Sequence, residues 1–232
     1  MNKKENFKFI FLISFLIFFL TGCSLQEENP KTIQDKTNEE ISYIEDEIFT
    51  IVNKYIRGEY NDDTGGIKWD DVNKEVQNLN SVLDTIMLDL SELEITNDEL
   101  VNLRNEVNNL SISVTNKDDY NLLQKSSYIY SLLPTYMEKY SQDKNKIDNM
   151  KLKSLVLSAL VQANFLEWDT AKNTALLVEN KYKEMMDNVD YMKEYSYNLN
   201  KTYILIGEFK NAIDLEEVEL TKQKYINFID KF

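Results

Sequence analysis

Apolar residues recur every three or four positions along most of this chain, the spacing that places them on one face of an α-helix. The first such stripe comprises Ile41, Ile44, Ile48, Val52 and Tyr55. Glycine and proline, which interrupt helices, number only five and two in the whole chain. The pattern therefore predicts an all-α protein.

Seven further stripes follow the first one. They begin near Trp69, Leu100, Leu122, Ile147, Trp168, Tyr191 and Leu215, and end near Leu93, Leu110, Tyr140, Leu166, Met186, Ile206 and Ile229. Thr96 and Glu99 have the spacing of a capping box before the third helix. Pro134 predicts a kink or a split in the fourth helix. We expect about eight helices arranged as antiparallel hairpins.

An acidic residue opens a helix at regular intervals. Asp70, Asp119, Asp169 and Glu216 are separated by steps of 49, 50 and 47 residues. Each step has room for a helical hairpin, which favours a short repeat array. Acidic residues also stabilise any helix N-terminus, so a compact bundle in an acidic protein accounts for the same spacing. The sequence leaves both arrangements open.

The N-terminus has the three parts of a secretory signal. Lys3, Lys4 and Lys8 precede an apolar run from Phe9 to Leu20, which is too short to span a bilayer as a helix. Leu20-Thr21-Gly22-Cys23 follows and resembles the lipobox of bacterial prolipoproteins. The alternative is an uncleaved anchor with an incidental cysteine.

The lipobox resemblance implies cleavage before Cys23 and attachment of lipid to that residue. It divides the chain into a signal peptide over residues 1–22, a lipidated cysteine and flexible tether over 23–40, and a helical domain over 41–232. Stable anchoring takes more than one acyl chain, and a diacylglyceryl-cysteine supplies two. We therefore expect a lipid-anchored protein on the extracytoplasmic face of the cell membrane.

The composition restricts the partners and the chemistry. The chain has a net charge of −14, and removal of the leader makes it −16, which disfavours nucleic acid and anionic lipid headgroups as partners. Histidine is absent and Cys23 is the only cysteine. These counts exclude disulfides, histidine-dependent catalytic triads and thiolate or histidine metal sites. We predict no cofactor and no enzymatic activity.

The mature region also resembles small helical lipoproteins of clostridial-type Gram-positive bacteria. The resemblance lies in segments 128–134 (YIYSLLP), 168–171 (WDTA) and 200–205 (NKTYIL). It implies a helical, extracytoplasmic lipoprotein and no particular activity. The Trp-Asp-x-Ala turn is similar to tetratricopeptide hairpins, although the glycine and terminal proline of that repeat are missing and its period is shorter.

Aromatic side chains in the second half are the candidates for a binding surface. The residues proposed for ligand or partner binding are Tyr128, Tyr136, Trp168, Tyr191, Tyr195 and Tyr203. Tyr191, Tyr195 and Tyr203 are expected to share one helical face, where they would line a groove for a peptide or a glycan. The alternative is ordinary helix packing, and for the tryptophan, packing across a hairpin turn.

Two weaker signals concern acidic residues. Asn61, Asp62 and Asp63 before two glycines offer oxygen ligands for calcium, but the spacing does not match an EF-hand, which favours a flexible polar loop. Carboxylate pairs such as Glu216 and Glu217 are expected by chance in so acidic a chain. We predict no metal site and no catalytic residues.

Taken together, the sequence favours a non-enzymatic helical interaction module of the cell envelope. Its expected partner is another envelope protein or the cell wall. The alternatives are a ligand- or ion-binding accessory lipoprotein of a transporter and, less favoured, an enzyme that acts on the cell wall.

Overall fold

Nine α-helices and no β-strand occur in the part of the chain that this computed structural model describes, residues 32–196 and 198–232. The all-α prediction is confirmed. The helices are α1 Ile33–Ile56, α2 Trp69–Glu92, α3 Asn97–Thr115, α4 Asp119–Tyr140, α5 Lys144–Asn164, α6 Trp168–Met186, α7 Val189–Tyr195, α8 Leu199–Asp214 and α9 Val218–Ile229. The lipobox and Cys23 lie outside the described residues.

The first helix begins earlier than its stripe indicated. The flexible tether was expected to reach residue 40, but α1 begins at Ile33. Thr37 is fully buried, and the side-chain amide of Gln34 donates to the carbonyl of Tyr140 at 3.0 Å. Residues 33–40 therefore belong to the helical domain, because Gln34 has a partner on α4 and Lys36 pairs with Asp89 on α2.

The predicted seventh helix is two helices. Asn188 caps α7 by accepting hydrogen bonds from the backbone N–H groups of Asp190 and Tyr191, and α7 ends at Tyr195. A new helix begins at Leu199. By contrast, α4 continues through the buried Pro134 without a split.

Consecutive helices pack against one another in antiparallel pairs. The pairs α1–α2, α2–α3 and α3–α4 are in contact, and α4 packs back onto α1. The helices α5, α6, α8 and α9 form a second group in which α9 packs back onto α5, and α4 joins the groups by packing on α5. The described helices thus combine successive hairpins, as in an array, with the closure of a bundle.

A tight turn recurs between paired helices. Lys117, Leu166 and Glu216 have left-handed backbone conformations with φ of 55°, 63° and 57°, at steps of 49 and 50 residues. After Lys117, the N–H of Asp118 bonds to the carbonyl of Ser113 at 2.8 Å, the 6→1 bond of a Schellman motif. The turns at Leu166 and Glu216 have the equivalent bond. The recurrence covers three hairpins, because α1 and α2 are joined by the longer loop 57–68.

The capping box predicted before the third helix is present. Thr96 accepts from the N–H of Glu99, and Glu99 Oε2 accepts from the Thr96 N–H at 2.9 Å. The same carboxylate pairs with Lys139 Nζ at 2.5 Å. The hydrogen bond from Lys139, followed by those from Thr96, lowers the pKa of Glu99 from 4.5 to about 2.

Leu166→Gly is expected to stabilise the protein. Leu166 is 64% exposed and has a left-handed conformation that glycine adopts without strain, so the gain in free energy of unfolding should be about 1 kcal/mol. Leu177→Gly is the matched control, because Leu177 is exposed within α6, where glycine costs about 1 kcal/mol. Urea denaturation of both variants measures the two changes. Equal destabilisation of both would contradict the assignment of the turn.

Glu99→Gln is expected to change the pH dependence of stability. Because the folded-state pKa of Glu99 is depressed, its contribution is present above its unfolded value of 4.5 and is lost as pH falls towards about 2. The difference in free energy of unfolding between the wild type and Glu99→Gln should therefore shrink over that range. Glu184→Gln, at an exposed position on α6, serves as the control. If the difference in free energy of unfolding between the wild type and Glu99→Gln stayed constant from pH 5 to 2, the role of the cap would be refuted.

Candidate functional site

Two of the six proposed binding residues are structural. Tyr136 and Tyr191 are each 2% exposed. The Tyr136 hydroxyl donates to the carbonyl of Glu99 at 3.0 Å, and the Tyr191 hydroxyl donates to Asn149 Oδ1 at 2.9 Å. Burial raises the pKa of both phenols. Their placement matches the helix-packing alternative and removes them from the candidate surface.

The remaining second-half aromatics do not form one stripe. Tyr195 is half-buried and stacks on Tyr191, with ring centroids 4.6 Å apart. Tyr203 lies on a different helix, α8, is 40% exposed, and stacks on Tyr182 at 6.4 Å. The expectation of a shared helical face was wrong, because one helix ends at Tyr195 and another begins at Leu199. Trp168 is half-buried against the core at the start of α6.

Tyr128 lines an open groove, whereas Tyr191 and Tyr195 line a much smaller pocket of about 30 Å³. The Tyr128 side chain is 45% exposed, and the groove has a volume of about 580 Å³. The groove runs along α4, which lies between α3 and α5 in the packing order. The structure therefore separates Tyr128 from the other five candidates.

The α4 side of the groove is built from small and polar residues. Gln124, Ser127, Tyr128 and Ser131 line it. The hydroxyl of Ser131 donates to the carbonyl of Tyr128 at 2.7 Å, which holds the Ser131 side chain close to the helix. The side-chain amide of Gln124 donates to the hydroxyl of Tyr120. Small side chains on this face of α4 leave the space that forms the groove.

The α5 side repeats the same chemistry. Ser154 and Ser158 line it, one helical turn apart, together with Gln162. Gln162 Nε2 donates to Ser158 Oγ at 3.3 Å, whereas Gln162 Oε1 is shielded from solvent and has no hydrogen-bond partner. An unpaired buried acceptor costs about 1–3 kcal/mol. The wall of the groove therefore contains an acceptor that the protein leaves unsatisfied.

The charged residues of the groove have partners. Lys125 Nζ lies 2.9 Å from Glu106 Oε2 across the α3–α4 interface. Glu167, beside the start of α6, accepts a hydrogen bond from the Tyr120 hydroxyl at 3.0 Å. The ring of Tyr120 in turn packs edge-on against Phe165. The groove thus presents hydroxyl and amide groups with its charges paired.

The groove serines were not among the sequence candidates, although a signal for them exists. Ser127 and Ser131 are four residues apart on α4, and Ser154 and Ser158 are four apart on α5. Four-residue spacing places each pair on one helix face. Two such pairs on consecutive helices indicate a polar strip between the helices. Attention to aromatic residues alone favours the tyrosines, some of which are buried.

The acidic loop that suggested calcium is organised by its own hydrogen bonds. Asp62 Oδ1 accepts from the N–H and hydroxyl of Thr64, at 2.8 and 2.7 Å, and from the N–H of Gly66 at 2.9 Å. These bonds lower the pKa of Asp62. Over residues 32–196 and 198–232, no group of three or more acidic, cysteine or histidine side chains is placed to hold a metal ion.

Two further findings concern membrane-spanning segments and similarity to known proteins. None of the helices in the described ranges is both long and apolar enough to cross a membrane. Comparison of the chain with models of known protein families, with curated proteins and with solved structures finds no match in any of the three.

Tyr136→Phe and Tyr128→Phe on α4 should separate the structural tyrosine from the groove tyrosine. Loss of the buried Tyr136 hydroxyl leaves the Glu99 carbonyl without this donor, so the free energy of unfolding should fall by about 1 kcal/mol. Tyr128 is exposed, and its hydroxyl makes only a 3.5 Å contact with Asn102, so Tyr128→Phe should change it by less than about 0.5 kcal/mol. Denaturant titration measures both changes. Equal losses would contradict the division of roles.

Proposed function

We propose that this protein is a lipid-anchored, non-enzymatic binding module on the extracytoplasmic face of the cell membrane. The α4 groove is its ligand site. The observation that carries the proposal is an open groove of about 580 Å³ lined by hydroxyl and amide side chains on two consecutive helices, α4 and α5. Polar groups that converge in a concave surface are typical of a binding site.

The anchor part of the proposal rests on the lipobox Leu20-Thr21-Gly22-Cys23. Cys23 lies only ten positions before Ile33, where α1 begins. A fully extended chain of that length spans about 35 Å at most. A lipid on Cys23 would therefore hold the helical domain close to the membrane, within reach of membrane proteins and the inner layers of the wall.

Binding is favoured over catalysis by the state of the groove's charged groups. Glu106 is paired with Lys125, and Glu167 accepts from Tyr120, so both carboxylates are engaged. A general base has to be within hydrogen-bond reach of the proton it removes and needs a pKa tuned for that transfer. The groove carboxylates have structural partners instead, which supports recognition as the role of the site.

A photoreactive phenylalanine analogue placed at position 128 tests this proposal in living cells. Irradiation should give a discrete crosslinked product that contains a wall fragment or one envelope protein. The Cys23→Ala variant should give less of it, because the untethered domain is no longer held at the membrane. The analogue at position 43 is the matched control, since Tyr43 is 57% exposed on α1 and does not line the groove.

Two results would overturn the proposal. Crosslinking of equal yield and pattern from positions 128 and 43 would show that the groove is no preferred contact. If labelled palmitate is incorporated equally into the wild type and Cys23→Ala, the lipid is not attached at Cys23.

A further inference from the structure

The charges of the α4 groove restrict the kind of ligand that it suits. Lys125 is the one cation among the described lining residues, and it is paired with Glu106 at 2.9 Å. A phosphate or carboxylate ligand would have to displace Glu106 and would meet a chain of net charge −14. A cationic ligand would have to compete with Lys125 for Glu106, or with the Tyr120 hydroxyl for Glu167. The lining therefore favours a neutral ligand.

Few aliphatic side chains line the groove. Leu155 and Val161 are its aliphatic lining residues, and Val161 is only 4% exposed. Peptide and protein partners derive most of their affinity from a few large side chains that fill desolvated pockets. The serines on α4 and α5 line a surface of mixed polar and apolar character instead. This lining suits a ligand with many hydroxyl or amide groups and no large apolar side chain.

Tyr128 and Gln162 supply the two remaining elements of recognition. Tyr128 is 45% exposed and offers an aromatic face and a hydroxyl at the edge of the groove. An aromatic ring of this kind combines an apolar face with a polar group, which matches the apolar face and hydroxyl rim of a sugar ring. Gln162 Oε1 lacks a donor within the protein, and a hydroxyl or acetamido N–H of a ligand would supply one after a rotamer change.

We propose that the α4 groove binds a short neutral oligosaccharide, with one sugar ring on Tyr128 and its polar groups on the serines and Gln162. This inference rests on the proposed function of the groove as a ligand site. Between Ser154 and Gln162 the groove extends for about 12 Å along α5, from the rise of 1.5 Å per residue in a helix. That length accommodates more than a single sugar ring.

Isothermal titration of the full-length protein in detergent with triacetylchitotriose tests the inference. This probe is neutral and carries acetamido and hydroxyl groups. The wild type should bind it saturably. Tyr128→Ala should weaken binding by about tenfold, equivalent to ~1.4 kcal/mol. Ser158→Leu should abolish binding, because the larger side chain would occupy the groove.

Tyr43→Ala is the control variant, since it removes an exposed tyrosine of α1 outside the groove and should leave the affinity unchanged. Thermal unfolding of each variant checks that the fold is retained. No saturable binding by the wild type, or equal affinity in the wild type, Tyr128→Ala and Ser158→Leu, would overturn the inference. If titration fails but crosslinking from position 128 captures one envelope protein, the oligosaccharide is wrong and the binding module survives.

Discussion

The burial of α1 is the constraint on which most of the other packing depends. Its apolar face is almost completely removed from solvent: Ile41, Ile44, Ile48, Ile51 and Val52 are each at most 1% exposed. Each such side chain contributes about 1.5–3 kcal/mol relative to an exposed one. This face closes the first four helices, because α1 contacts both α2 and α4. Removing α1 would therefore expose apolar surface on two other helices as well as on itself.

Polar contacts extend the influence of α1 to the second group of helices. Glu45 on α1 accepts from the Tyr130 hydroxyl at 3.0 Å and pairs with Lys153 Nζ at 3.1 Å, which connects α1, α4 and α5. Asn53 accepts from Tyr225 on α9 at 2.9 Å. Because Glu45 is only 9% exposed, its charge is stable there only with these partners present. The arrangement fixes how α4 is rotated: Tyr130 points towards α1, which leaves the serine-bearing face of α4 towards the groove.

The positions of the helices follow from the sequence pattern because burial alone determines them. The start of α1, the turn at Leu166 and the exposure of the tyrosines depend on tertiary contacts that the pattern does not show. The stripes located the helices, since an apolar face must be covered wherever the helix packs. The start of α1 was missed because the residues before Ile41 are mostly polar, and their contacts with α2 and α4 have no periodic signature. Leu166 was not recognised as a turn because left-handed positions are usually glycine. Tyr136 and Tyr191 were proposed as surface residues because a tyrosine with a buried hydrogen-bond partner has the same sequence signal as an exposed one.

The packing of α4 against α5 explains why the groove is the strongest candidate for recognition. Helix packing normally fills the space beside a central helix with large side chains, yet serines occupy facing positions on α4 and α5. Such a gap gives up packing energy in return for hydroxyl groups that line a groove, and nothing in the packing of α1 requires it. Both carboxylates beside the gap have partners, Lys125 for Glu106 and the Tyr120 hydroxyl for Glu167, and the chain as a whole is strongly acidic. A site whose carboxylates are engaged, inside a negative field, repels polyanions at long range and still accepts uncharged polar ligands at short range. Both length scales thus favour the same class of ligand.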